Sequence, residues 1–101
     1  MDNGGSTALH WAAMEGKDSV ATQLVNVNAN VNAVNNFGDT PLHWAAFYGH
    51  AIVADLLLGA GANPKAANKS GMTTAQDAEQ QGGHSELAEL LCQAESRVAS
   101  T

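Results

Sequence analysis

The chain has a single cysteine, Cys92, in 101 residues. No disulfide can close within it, and its cysteine usage gives no sign of an oxidising compartment. A reducing, intracellular setting, cytoplasmic or nuclear, is the expectation. Charge is also sparse: Asp, Glu, Lys and Arg make up 14% of the chain, against about a quarter in ordinary domains. Surface contacts must therefore lean on Asn, Gln, Ser and Thr. Basic residues are the scarcest, with 4 Lys and Arg against 10 Asp and Glu and a formal net charge of -6. Such a chain repels phosphate backbones and anionic lipid, which argues against nucleic acid and membrane surfaces as partners. Long apolar runs are missing too. The most apolar window, residues 45–62, is interrupted by His50, Asp55 and glycines, and the opening Met1-Asp2-Asn3-Gly4-Gly5 has neither a basic stretch nor an apolar core. Neither secretion nor membrane spanning is expected. Without a secretory signal, the acceptor pattern Asn68-Lys69-Ser70 is not expected to carry a glycan.

Several chemical signatures are absent as well. The sequence has no Cys-x-x-Cys, no His-x-x-x-His and no glycine-rich phosphate loop, so no metal and no cofactor is expected. The carboxylates are spread along the chain, in no apolar setting that would obviously raise a pKa.

What is present is a repeat. Thr7-Ala8-Leu9-His10-Trp11-Ala12-Ala13 matches Thr40-Pro41-Leu42-His43-Trp44-Ala45-Ala46 at an offset of 33 residues, with six of seven positions identical. The match runs on through Gly5 and Gly38, Gly16 and Gly49, Val20 and Val53, Leu24 and Leu57, and Ala29 and Ala62. A weaker third copy starts at Thr73, with Ala78 under Ala45 and Gly82 under Gly49. One extra glycine then shifts the register, placing Gly83-His84 under Gly49-His50 and Leu87, Leu90 and Leu91 under Val53, Leu56 and Leu57. Three units follow: residues 1–33, a cap-like first copy; 34–66, the most regular; and 67–101, a third copy with a C-terminal capping helix.

Each unit reads as a turn and two short helices. Thr40 is suited to cap a helix because its hydroxyl can accept from an early free amide, and Pro41 at the first helical position gives up no needed donor. Leu42, Ala45 and Ala46 share one stripe, and Gly49 supplies a left-handed stop, predicting a helix over 41–48. A second helix over 51–58 is expected to turn Ile52, Val53, Leu56 and Leu57 inward. Asn28 replaces the glycine that ends this helix in the next copy, as asparagine tolerates the left-handed region. The stretch Val27-Asn28-Ala29-Asn30-Val31-Asn32-Ala33 alternates like a strand, but its counterpart Ala60-Gly61-Ala62-Asn63-Pro64-Lys65-Ala66 carries turn formers and a proline. Both are therefore read as connections.

The string Gly38-Asp39-Thr40-Pro41-Leu42-His43-Trp44-Ala45-Ala46, followed by Gly49-His50 and Leu56-Leu57-Leu58-Gly59-Ala60-Gly61-Ala62-Asn63, resembles the ankyrin repeat. The third copy departs, with Thr74-Ala75-Gln76 in place of Pro-Leu-His and an inserted glycine. The resemblance implies an all-α solenoid of three helix-turn-helix units with projecting β-turn fingers, each unit stabilised by its neighbours. It implies that His10 and His43 bond the capping threonine and nearby backbone, and that Trp11 and Trp44 are framework residues in the core. It also implies that Asn32, with Leu24 eight residues upstream, is a candidate for enzymatic hydroxylation. His50 and His84 read as residues bracing loops or starting helices. Polar replacements in the outer copies, Asp18, Ser19 and Gln23 in the first and Gln76, Asp77 and Glu79 in the third, read as solvated faces of a complete module. The tail over 85–99, with Glu86, Glu89 and Glu95, is expected to extend the last helix as a lid.

The functional expectation is a monomeric, non-catalytic scaffold that binds another protein through its concave face. Cys92, under Leu58, reads as a buried small hydrophobe and not a nucleophile. The core pattern has no need of Phe37 at a finger tip or of Phe47 and Tyr48 before Gly49, and large exposed aromatics mark interfaces. Their counterparts are Gly4, Met14 and Glu15 in the first copy and Ser70, Gln80 and Gln81 in the third. With Asp39 and Met72 on the fingers they would form a strip that is aromatic at its centre and polar at its ends. A second reading is a regulatory or targeting segment acting on a neighbouring domain in cis, and a third is a small hydrolase or metal protein.

Overall fold

A computed structural model describes residues 5–81 and 84–99, with side chains through residue 94 apart from Gln81. Gly4, the Gly82-Gly83 pair and the side chains of Gln81 and Glu95 lie outside the described residues. Six α-helices are present: α1 (Ala8–Glu15), α2 (Asp18–Asn26), α3 (Pro41–Tyr48), α4 (Ala51–Gly59), α5 (Thr74–Gln76) and α6 (Ser85–Ala99). A π-helical segment, Asp77–Gln81, continues α5. There is no strand among the described residues, so the alternating stretch after α2 is a connection as expected. Asn28 there holds φ 64°, and Asn30 Oδ1 accepts from the Asn32 amide at 3.0 Å.

The first helix of each unit starts by one rule. Thr7, Thr40 and Thr73 each accept from the amide three residues on, and the side chain at that third position bonds back to the cap amide. His10 and His43 do this through Nδ1, at 3.1 Å in both cases. With Nδ1 accepting, Nε2 carries the hydrogen and donates to the next unit: His10 to the Asp39 carbonyl at 2.7 Å and His43 to the Met72 carbonyl at 2.9 Å. Gln76 reproduces the local half through Oε1, 2.9 Å from the Thr73 amide. The finger turns are tied in register as well. Asn35 donates to Ser6 Oγ, Asn68 donates to Asp39 Oδ1, and the Lys69 amide donates to the Phe37 carbonyl.

Packing follows from small side chains on the facing helices. α1 lies on α3, α3 lies on α5 and the π segment, and α2 lies on α4. The contacts are made by Leu9, Ala12, Ala13, Leu42, Ala45, Ala46, Ala75 and Ala78, with Val53, Ala54 and Leu57 filling the space between the helices of the middle unit. Alanine lets backbones approach closely, while each fully buried leucine contributes about 2 kcal/mol.

The third unit resolves its extra glycine by widening a turn. The α5 and π segments together span 74–81, the counterpart of α3, yet α6 starts one residue late at Ser85. The bond closing the first helix of a unit runs from Lys17 N–H to the Ala12 carbonyl and from His50 N–H to the Ala45 carbonyl. In the third unit it runs from His84 N–H to the Ala78 carbonyl at 2.7 Å, across one more residue. A π turn absorbs such an insertion without breaking the helix. The shifted register then holds: Leu87 and Leu91 are buried as Val53 and Leu57 are, and Leu90 is half-buried like Leu56. α6, at 15 residues against 9 for α4, is the extended last helix the tail predicts.

Four expectations are corrected. Ile52 is 65% exposed instead of inward, because Val53, Ala54 and Leu57 already complete the buried stripe and Ile52 lies outside it. Trp11 is exposed and Trp44 half-buried instead of core. The two stand edge to face across neighbouring units, 5.9 Å between ring centroids, and His10 packs against Trp44 at 5.4 Å. They are a ladder along the border of the stack. Cys92 is exposed, since its counterpart Leu58 is itself only half-buried and Leu91 takes the inward place. Asp77 is buried instead of forming part of a solvated face.

Gly49 holds φ 76°, and a Cβ built there would stand 2.6 Å from His84 Cε1. Gly49→Ala is expected to destabilise the fold by about 2 kcal/mol in urea denaturation, combining left-handed strain with displacement of the ring. A loss too small to measure would contradict this packing. Cys92 should react fully with a thiol reagent in the folded protein, and protection until denaturant is added would mean that α6 is rotated about its axis.

Candidate partner-binding surface

Phe47 and Tyr48 are the last two residues of α3, set just before the left-handed Gly49. The stripe of Leu42, Ala45 and Ala46 faces the stack, which turns this final pair outward; they are 39% and 47% exposed. Their rings meet edge to face at 4.9 Å, and Tyr48 stacks at 6.5 Å on His50. His50 in turn donates from Nε2 to the Met14 carbonyl at 2.9 Å, bracing the preceding unit.

Beside this pair opens a cavity of about 380 Å³, lined by Trp44, Phe47 and Tyr48 from α3, Asp39 and Met72 from the fingers, Asn68, Ser70, His43 and Asp77. The candidate residues Asp39, Phe47, Tyr48 and Met72 thus come together around one space. Phe37, 64% exposed at its finger tip, lies outside the cavity lining, as do the half-buried Met14 and the exposed Glu15 and Gln80. The Gln81 side chain lies outside the described residues.

Asp39 is braced on both sides. One carboxylate oxygen accepts from Asn68 Nδ2 at 2.9 Å and the other from Trp44 Nε1 at 3.3 Å. Its amide donates to Asn35 Oδ1, and its carbonyl receives His10. It therefore fixes the relation between finger and α3 as well as lining the cavity.

The residue that sequence reasoning missed is Asp77. It stands in the third copy where Trp44 and Trp11 stand in the others, and that aspartate-for-tryptophan exchange was the available signal. Only 6% of it is exposed. Burial pushes its carboxyl pKa from 3.8 up to about 6, a rise opposed by neighbouring His43 and reinforced by Asp39. The expectation that no carboxylate sits in a setting that raises its pKa is thereby corrected.

Asp39, His43 and Asp77 offer ligand atoms within 4.8 Å of one another, which raises the question of a metal. A ligand needs a free lone pair. His43 has none to spare, since Nδ1 accepts from Thr40 and Nε2–H donates to Met72, which leaves only the two carboxylates. Two carboxylates without a nitrogen or sulfur ligand are too small a donor set for a transition metal.

A family model described as ankyrin repeats, in three copies, matches residues 9–101. No curated protein matches the chain. Among the described residues no helix is long and apolar enough to cross a membrane.

Asp77 gives a pH signature. Its folded pKa of about 6 lies above the unfolded value of 3.8, so the native state binds the proton more tightly. The destabilisation from its charge is absent below the lower value, grows between the two and is complete above the upper. Asp77→Asn should therefore raise unfolding stability near neutral pH by about 2 kcal/mol, with the gain fading towards zero in acid. Urea titrations of both proteins across that range check it, and a pH-independent difference would contradict the buried-carboxyl assignment.

Proposed function

The chain belongs to the ankyrin repeat family, whose repeats are generally protein–protein interaction modules, and from that membership we propose that it binds a partner protein through its concave face. The contact is centred on Phe37, Asp39, Phe47 and Tyr48, with Met14, Glu15, Met72, Gln80 and Gln81 around it. One observation carries this reading: two adjacent aromatic rings stand exposed at the mouth of a cavity although the core is complete without them. Exposed aromatics over a partly apolar recess are the usual centre of an interface, surrounded by contacts that exclude water. No catalytic role is assigned. The chain acts as a monomeric, intracellular scaffold.

Affinity capture with the immobilised chain tests it. Phe47→Ala combined with Tyr48→Ala should weaken retention of specifically bound protein by at least about 30-fold, as loss of an interface centre does, while helical circular dichroism stays unchanged. Val20→Ala with Ile52→Ala, at exposed positions on α2 and α4, should leave retention intact. Equal retention by the wild type and the aromatic double variant would overturn the assignment.

A further inference from the structure

We propose that the cavity walled by Trp44, Phe47 and Tyr48, with Asp77 in its lining, is a socket for an arginine side chain of the partner protein. This rests on the partner-binding reading and adds the chemistry that the surface selects.

Asp77 carries the inference. Its backbone amide bonds to the Thr73 carbonyl at 3.0 Å, but its side chain has no hydrogen-bond partner among the described residues, although the residue is only 6% exposed and lines the cavity. Its carboxylate reaches water only through the small area it shows in the cavity, and a partner that fills the cavity removes that water and must supply a donor in its place. The neighbours cannot. His43 has both nitrogens engaged, Asp39 has the same charge and both its oxygens already accept, and among the described residues no lysine or arginine lines the cavity. The donor that replaces cavity water on docking therefore comes from the partner, and it should be positive: two carboxylates line one recess on a chain of net charge -6.

The walls decide among cations. Trp44, Phe47 and Tyr48 offer aromatic surface, which attracts a cation over the ring face, and a planar guanidinium can stack there while forking towards a carboxylate. A lysine ammonium is a compact, strongly hydrated point charge that gains less from such walls. The exposed Ser70 in the lining suits the polar backbone next to an inserted residue.

The test is an NMR titration of the isotopically labelled full chain with three peptides, acetyl-Gly-Arg-Gly-amide and its lysine and citrulline counterparts, the last nearly isosteric with arginine but uncharged. The arginine peptide should shift the Trp44 indole, Tyr48 and residues around Asp77, and bind at least about tenfold more tightly than either of the others. Asp77→Asn should reduce its affinity to the citrulline level, whereas Asp55→Asn, which removes an exposed charge on α4, should change it little. Equal binding by the citrulline or lysine peptide to the wild type, an area requiring no variant to fold, would overturn the socket. So would undiminished binding by Asp77→Asn, or shifts confined to another surface. Should partner capture fail with the aromatic double variant yet survive Asp77→Asn in full, the binding face would stand and the arginine socket would fall.

Discussion

An imidazole that accepts at one nitrogen and donates at the other couples local to tertiary order in this protein. His10 and His43 each close the cap of their own helix through Nδ1 and reach the backbone of the following finger through Nε2. One side chain thereby answers two needs, an orphan amide at a helix start and a carbonyl in the adjoining unit. Because the histidine recurs at the repeat period, the same bond recurs in space. Finger, helix start and stacking distance are then set together, and the alanine-rich faces of α1, α3 and α5 meet at the separation that fixes the core.

Helix limits were largely legible in the residues. Thr40, Pro41 and Gly49 bound α3 at the positions their local chemistry dictates, and Asn28 takes the left-handed turn expected of it. These depend on hydrogen bonds and steric limits spanning a few residues, which a sequence carries explicitly. The third unit was legible in its register but not in its means. That a glycine was inserted could be read; that the preceding helix would widen into a π turn depended on keeping the His84 amide bonded while Leu87 and Leu91 stayed in the core.

The candidate site was half legible. Phe47 and Tyr48 were singled out because the core had no use for them, and Asp39 and Met72 because they lie on the fingers; the four converge on one cavity, whereas Phe37, chosen on the same ground as the aromatic pair, lies outside its lining. Asp77 was missed because polarity at an outer repeat suggested solvent. In fact the position lies against α3, so the aspartate is drawn in beside Asp39 and His43 of the middle unit. Ile52, Trp11 and Cys92 err for the opposite reason. Apolar character was taken as burial, whereas a two-helix unit has more apolar positions than its neighbours can cover.

By itself, then, the sequence determined the period, the caps, the stops and the assignment of each segment to helix or turn, because these are short-range matters of backbone geometry and donor counting. Only the tertiary structure decided which side chains at equivalent positions are covered. Burial depends on the rotation of a helix and on what the adjoining unit presents to it. A carboxyl group at residue 77 was therefore drawn into a recess, and an isoleucine at residue 52 was left facing water.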